Sequence, residues 1–142
     1  MQQQPIDILI IEDNPNDVEL ALHALRKAKV TNNVQVLRDG AEAIDFFFGS
    51  QPSSVRPCVI LLDLKLPKVS GLEVLKRLKT DRKTRSLPVV MLTSSREDRD
   101  VEEAYALGAN SYIVKPVDFE GFTRSVGELG LYWTLLNTAC AK

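Results

Sequence analysis

The sequence predicts an α/β protein built on a doubly wound parallel sheet. Three observations predict it. Apolar runs of strand length recur without period-two alternation, most clearly Val59-Ile60-Leu61-Leu62 and Val89-Val90-Met91-Leu92. Strands buried on both faces read this way. Each run is followed by a stretch of helical periodicity, strand then helix five times over, which implies a parallel sheet with helices on both faces. The runs end in polar residues, Glu12-Asp13, Asp63, Thr93 and Lys115, at the strand ends where open α/β sheets place their chemistry.

At 142 residues the chain is read as one domain, with enough length for a sizeable core. A net charge of -1 gives no electrostatic case for nucleic acid. No apolar run is long enough for a membrane span, and Met1 to Pro5 lacks the layout of a signal peptide. The two cysteines lie far apart, and Cys58 reads as a small core residue. Metal-type Cys/His spacing is absent, His23 being the only histidine. A reducing cytoplasm fits these features.

The elements follow in order. Ile6 to Ile11 is a strand, apolar except at Asp7. Asn14-Pro15 reads as an N-cap with proline at the first helical position. Val18, Leu20, Ala21, Leu22, Leu25 and Ala28 give that helix its apolar face, and His23 reads as a surface or satisfied side chain. Asn33 to Leu37 is a shorter strand. Asp39-Gly40 turns the chain into a helix over Ala41 to Phe48. Phe46, Phe47 and Phe48 cannot all face one core stripe, so at least one packs under a loop or stays partly exposed.

Gly49 to Pro57 is loop, and the central strand ends at Asp63. Ser70 or a neighbour opens the next helix, with Leu72, Val74, Leu75 and Leu78 inward. The basic stretch Thr80 to Leu87 reads as solvated surface. Pro88 to Leu92 is the fourth strand, and Glu97 to Leu107 the fourth helix, stopped by Gly108. Ser111 to Val114 is the fifth strand. Asp118 caps a last helix expected to reach about Leu136, with a core over about 6–129 and an extension over about 130–137. Right-handed crossovers and five strands favour the flavodoxin-like order 2-1-3-4-5.

A parallel sheet brings these strand ends to one edge. Three carboxylates, a hydroxyl and an amine then converge. Clustered carboxylates repel unless a cation joins them, and hard oxygens with room for water suit Mg²⁺. Lys115 and a metal would neutralise a transferred phosphoryl group, to which Thr93 could donate a hydrogen bond. Asp63, at the centre, is the natural nucleophile for an acyl phosphate. The alternative is a set of unrelated polar caps at strand ends.

The sequence here resembles the receiver domains of two-component signalling, the response regulators. The resemblance covers Ile6 to about Leu129. It is carried by Ile10-Ile11-Glu12-Asp13-Asn14, by Leu61-Leu62-Asp63-Leu64-Lys65-Leu66-Pro67 with Ser70-Gly71, by Met91-Leu92-Thr93-Ser94, by Gly108-Ala109, and by Tyr112-Ile113-Val114-Lys115-Pro116. It implies that Asp63 accepts a phosphoryl group from a histidine kinase. Glu12, Asp13 and Asp63 would hold Mg²⁺, with the Lys65 carbonyl as a further ligand. Thr93 and Lys115 would read the phosphoryl group, and Thr93 would form the switch with Tyr112, which stands at the rotating aromatic position. The Lys115-Pro116 bond is expected cis on the same ground. Lys65 departs from the uncharged polar residue frequent there, and its side chain either covers the phosphoryl group or points to solvent.

Nothing in the chain remains for an output domain, so output is expected through a surface contact or altered self-association. The Asn-Pro-x-Asp-Val-Glu opening, the long Gly49 to Pro57 loop, Leu-Pro-Lys after the acceptor and the Trp-bearing tail resemble the single-domain regulators paired with bacterial and cyanobacterial phytochrome kinases. That resemblance implies red-light input through a phytochrome-type histidine kinase. The stripe Phe119, Phe122, Val126, Leu129 and Trp133 faces the core. Beyond Gly130, residues Leu131, Tyr132, Trp133, Leu135 and Leu136 are apolar almost all round. The tail either folds back or makes a homodimer, with Tyr132, Trp133 and Leu136 as interface residues. Two other classes compete. A phosphorylation-independent pseudo-receiver usually has a broken pocket. An Asp-nucleophile phosphohydrolase needs a second Asp two residues after the nucleophile, where Lys65 stands.

Overall fold

The computed structural model describes residues 6–30, 33–52, 56–94 and 98–130. Five strands alternate with five helices: β1 (Ile8–Ile11), α1 (Pro15–Lys27), β2 (Val34–Leu37), α2 (Gly40–Phe48), β3 (Val59–Asp63), α3 (Gly71–Thr80), β4 (Val89–Thr93), α4 (Asp98–Ala106), β5 (Ser111–Val114) and α5 (Phe119–Glu128). The sheet order is β2-β1-β3-β4-β5, and every pairing is parallel. This is the flavodoxin-like order the alternation predicts.

The strands have no hydrophobic alternation because both sheet faces are covered. Ile8 and Ile10 of β1, Val59 and Leu61 of β3, and Val90 and Leu92 of β4 face one core. They meet Ala21, Ala24 and Leu25 of α1 and Phe122 and Val126 of α5. Leu9, Ile11, Ile60, Leu62, Val89 and Met91 face the other. There they meet Ala43 of α2, Val74, Leu75 and Leu78 of α3, and Ala104 of α4. The backbone pleat does the sorting, sending successive side chains to opposite faces.

Helix starts are fixed by side-chain caps that satisfy otherwise orphaned amides. Asn14 accepts from the amides of Asn16 and Asp17, with Pro15 in the first turn. Asp39 accepts from Glu42 N, Ser70 from Glu73 N, and Asp118 from Gly121 N. Register then sets the working edge: Ile11 pairs with Leu37 and Leu62, Asp63 with Leu92, and Thr93 with Val114. The residues that follow these pairs emerge side by side. The Lys115-Pro116 bond is cis.

Several expectations need correction. Helix α5 ends at Glu128, capped by Leu129, and Gly130 follows at φ +71°. It does not run unbroken to Leu136, because a glycine in the left-handed region ends a helix. Residues 131–142, including Tyr132, Trp133 and Leu136, lie outside the described residues. Phe119 is 38% exposed, so the α5 core stripe is Phe122 and Val126 with Leu129 packed beside them. Leu20 is 43% exposed and belongs to the wet side of α1. His23 is exposed. Phe46, Phe47 and Phe48 are all half-buried against the second core. Phe46 and Phe47 meet edge to face at 4.8 Å, and the Arg77 guanidinium lies 4.6 Å over the Phe48 ring.

Candidate functional site

The carboxyl edge of the sheet holds a polar cleft of about 280 Å³. Glu12 and Asp13 follow β1, Asp63 ends β3, Thr93 ends β4 and Lys115 follows β5. All five line the cleft, with Lys65 and Ser94 on its rim. Sequence positions that span the chain thus meet because parallel strands deliver their ends to one side.

Glu12 and Asp63 are buried at 1% and 4% exposure, and Thr93 at 5%. Asp13 is exposed. Ligand oxygens of Glu12, Asp13 and Asp63 lie within 4.8 Å of one another. Lys115 Nζ stands 2.9 Å from Glu12 Oε1, 3.0 Å from Asp17 Oδ2 and 3.2 Å from Asp63 Oδ2. Glu12 Oε2 accepts from Asn14 N at 3.1 Å. Glu12 Oε1 has the Lys115 ion pair but no well-directed hydrogen bond within the described residues. Asp63 Oδ1 accepts from Lys65 N at 3.3 Å. The frame is pinned by backbone bonds: Leu64 N donates to Leu92 O, and Lys115 N to Thr93 O.

The electrostatics follow from this crowding. Burial, reinforced by the charge on Asp63, pushes Glu12 up to about 7, although Lys115 and the Asn14 amide pull it down. Burial opposes the charge on Lys115, but Glu12, Asp17 and Asp63 together outweigh it and raise its pKa. More acid than base is packed into this edge. A cation would take up the unsatisfied Glu12 oxygen and the three carboxylates, so the residues fit a hard divalent metal.

Two further candidates lie at the rim of the cleft or beyond it. Lys65 is exposed, its amide turned to Asp63. Tyr112 is outside the cleft. It is 39% exposed, meets Tyr105 edge to face at 5.8 Å, and lines a separate groove with Arg124 and Glu128. Asp17 was missed. The available signal was its place three residues after Asn14, in the first turn of a helix that opens on the same edge.

The family model of the response regulator receiver domain matches residues 8–126. The chain belongs to that family. Among solved structures, this receiver is similar to the bacteriophytochrome response regulator RtBRR, at 47% identity and a TM-score of 0.81, covering 98% of this chain and 85% of that one. Among curated proteins it is 39% identical to the probable methanogenesis regulatory protein FilR2 of Methanothrix harundinacea, over 92% of this chain and 85% of that protein. It is 35% identical to the response regulator Rcp1 of Synechocystis, over 91% of this chain and 89% of Rcp1. A structure of Rcp1 in its Mn²⁺-bound form matches with a TM-score of 0.74 and 34% identity, covering 96% of the receiver and 100% of that chain. The receiver therefore has phytochrome response regulators among its structural neighbours. No helix among the described residues is long and apolar enough to cross a membrane.

Proposed function

We propose that this receiver is a stand-alone response regulator that accepts a phosphoryl group on Asp63 from a histidine kinase. The observation that carries the reading is the geometry around Asp63. One carboxylate oxygen faces the Lys115 ammonium at 3.2 Å, and oxygens of two further acids, Glu12 and Asp13, come within 4.8 Å of an Asp63 oxygen and of each other. Asp63 attacks phosphorus, a P–O bond forms, and the P–N bond to the kinase histidine breaks. Lys115 balances charge on the phosphoryl oxygens and Thr93 donates a hydrogen bond to them. Glu12, Asp13, Asp63 and the Lys65 carbonyl would hold Mg²⁺, which supplies further neutralisation of the phosphoryl charge when bound. Thr93 would couple the phosphoryl group to Tyr112 as a switch. Slow self-dephosphorylation would end the signal.

The phytochrome relatives support a phytochrome-type kinase as donor, and a kinase partner of that kind would be met in the cytoplasm. Stand-alone action is supported by the near full-length coverage of RtBRR and Rcp1. Output would pass through partner binding or a homodimer made by the tail around Tyr132, Trp133 and Leu136. Trp133→Ala should then sediment as monomer with phosphorylation intact.

The deciding experiment is phosphotransfer from a phytochrome-type histidine kinase, and from acetyl phosphate with Mg²⁺, to wild type and Asp63→Asn. Wild type should gain acid-labile phosphate and the variant none. Label retained on Asp63→Asn would overturn the assignment.

A further inference from the structure

We infer that Gly40, with Asp39 and Lys68, is a positioning device that holds the loop after Asp63 in the shape needed to present the Lys65 carbonyl to the cleft. The inference rests on the metal-dependent phosphoacceptor reading above and deepens it.

The segment from Lys65 to Val69 joins the acceptor strand to α3. Its ends are tied, Leu64 to β4 and Gly71 N to Leu64 O at 3.0 Å. Between those ties, one backbone hydrogen bond among the described residues joins it to another element: Gly40 N donates to Pro67 O at 3.3 Å. The approach is close. A Cβ on Gly40 would fall 1.8 Å from Val69 O and 2.6 Å from Val69 C. Only a residue without a side chain lets α2 and this loop meet so closely.

Lys68 adds a second tie. Its backbone is in the left-handed region, at φ +69°, which an L side chain adopts under strain. Its ammonium reaches Asp39 Oδ2 at 3.3 Å. Asp39 divides its two oxygens: Oδ1 caps α2 by accepting from Glu42 N at 2.8 Å, and Oδ2 faces Lys68. The lysine can therefore be changed without touching the cap. Its side chain is 68% exposed, so the ion pair is the weaker tie and the Gly40 contact the stronger.

Lys65 itself is exposed, and its amide donates to Asp63 Oδ1 at 3.3 Å. The direction of its carbonyl is therefore set by the loop that follows. A group that orients a metal ligand without touching the metal typically changes affinity by ~10–100-fold when lost.

The test titrates Mg²⁺ calorimetrically into wild type, Gly40→Ala, Lys68→Glu and Lys68→Arg. It also follows acetyl phosphate labelling against Mg²⁺ concentration. Gly40→Ala should weaken Mg²⁺ binding by at least ~10-fold. Lys68→Glu should weaken it by roughly twofold to fivefold, and Lys68→Arg should match wild type. The labelling rate at saturating Mg²⁺ should stay near wild type in all of them, because Asp63, Thr93 and Lys115 are untouched. A purely structural role would lower that limiting rate and leave the Mg²⁺ midpoint alone, which would overturn the inference. Should Gly40→Ala not fold, Lys68→Glu decides. Unchanged midpoints in the folded variants, with a wild type that responds to Mg²⁺, overturn the inference alone. A wild type indifferent to Mg²⁺ overturns the phosphoacceptor reading with it.

Discussion

Asp17 on α1 and Lys115 after β5 form an ion pair of 3.0 Å across 98 positions of sequence. The pair makes Asp17 a competitor with Asp63 for the Lys115 ammonium. Lys115 is held by Glu12, Asp17 and Asp63 together, and a phosphoryl group on Asp63 would enter that contest with strongly acidic oxygens. Removing the lysine removes the ammonium that pairs with Glu12, Asp17 and Asp63. Lys115→Ala is expected to slow labelling from acetyl phosphate by about 100-fold, the scale of a lost charge-stabilising donor. Asp17→Asn leaves two carboxylates on Lys115 and should change the rate by less than about threefold, because the ammonium keeps its Glu12 and Asp63 partners. Equal losses in the two variants would contradict this division.

Gly71 opens α3 directly against Asp63. A Cβ there would lie 2.0 Å from Asp63 O and 2.8 Å from Leu64 O. Backbone cannot yield as a flexible side chain does. Gly71→Ala is expected to cost about 1–3 kcal/mol in denaturant unfolding and to slow labelling of Asp63. A variant with wild-type stability and rate would show that the strand end gives way freely.

At the opposite edge, Lys79 is a clamp. Its ammonium donates to Arg85 O at 3.2 Å, Leu87 O at 2.7 Å and Asn110 Oδ1 at 3.0 Å. Asn110 Oδ1 also accepts from Val89 N. Lys79→Met leaves those carbonyls short of a donor and should cost about 1–3 kcal/mol of stability. Labelling of Asp63, at the far end of the strands, should be unchanged once the variant is folded.

Acid should weaken the head of α2. The Glu42 amide holds Asp39 below the ordinary 3.8, with Lys68 adding to it against the effect of burial. A carboxylate whose folded pKa lies below its unfolded value adds stability above the unfolded value. That stability is lost as pH falls through the folded pKa. Melting curves taken downward through pH ~4 should therefore fall less steeply for Asp39→Asn than for wild type. Carbon-detected NMR titration should find the Asp39 carboxyl midpoint below 3.8. A midpoint at or above it would contradict the cap geometry.

The legible part of this molecule was what backbone pattern controls. Uniformly apolar runs such as Val59 to Leu62 announced a sheet covered on both faces, and parallel pairing brought Glu12, Asp63, Thr93 and Lys115 to one edge. What escaped depended on local geometry. Asp17 carries an acid in a first helical turn, a place that the helix dipole explains without any partner. Its pairing with Lys115 needs the distance across the fold. Gly130 was present as a stop signal, but the apolar residues beyond it drew the helix onward in the reading. Phe119 and Leu20 have apolar chemistry and face water, because periodicity gives a stripe its width only to within a residue. The close approach of Gly40 to Val69 is invisible before the chain is folded.

The sheet also partitions the interior. Phe122 belongs to one packed compartment and Leu75 to the other, and among the described residues the two share no buried side chain. Between the two compartments stands the sheet, whose strands send alternate side chains into each. Defects on opposite sides should therefore combine as separate losses rather than amplify each other. A lineage carrying this fold can rework the surface over α1 and α5 for a new acquaintance while the compartment under α2, α3 and α4 keeps its old composition. The cleft at the strand ends stays seated on a wall that both sides hold up.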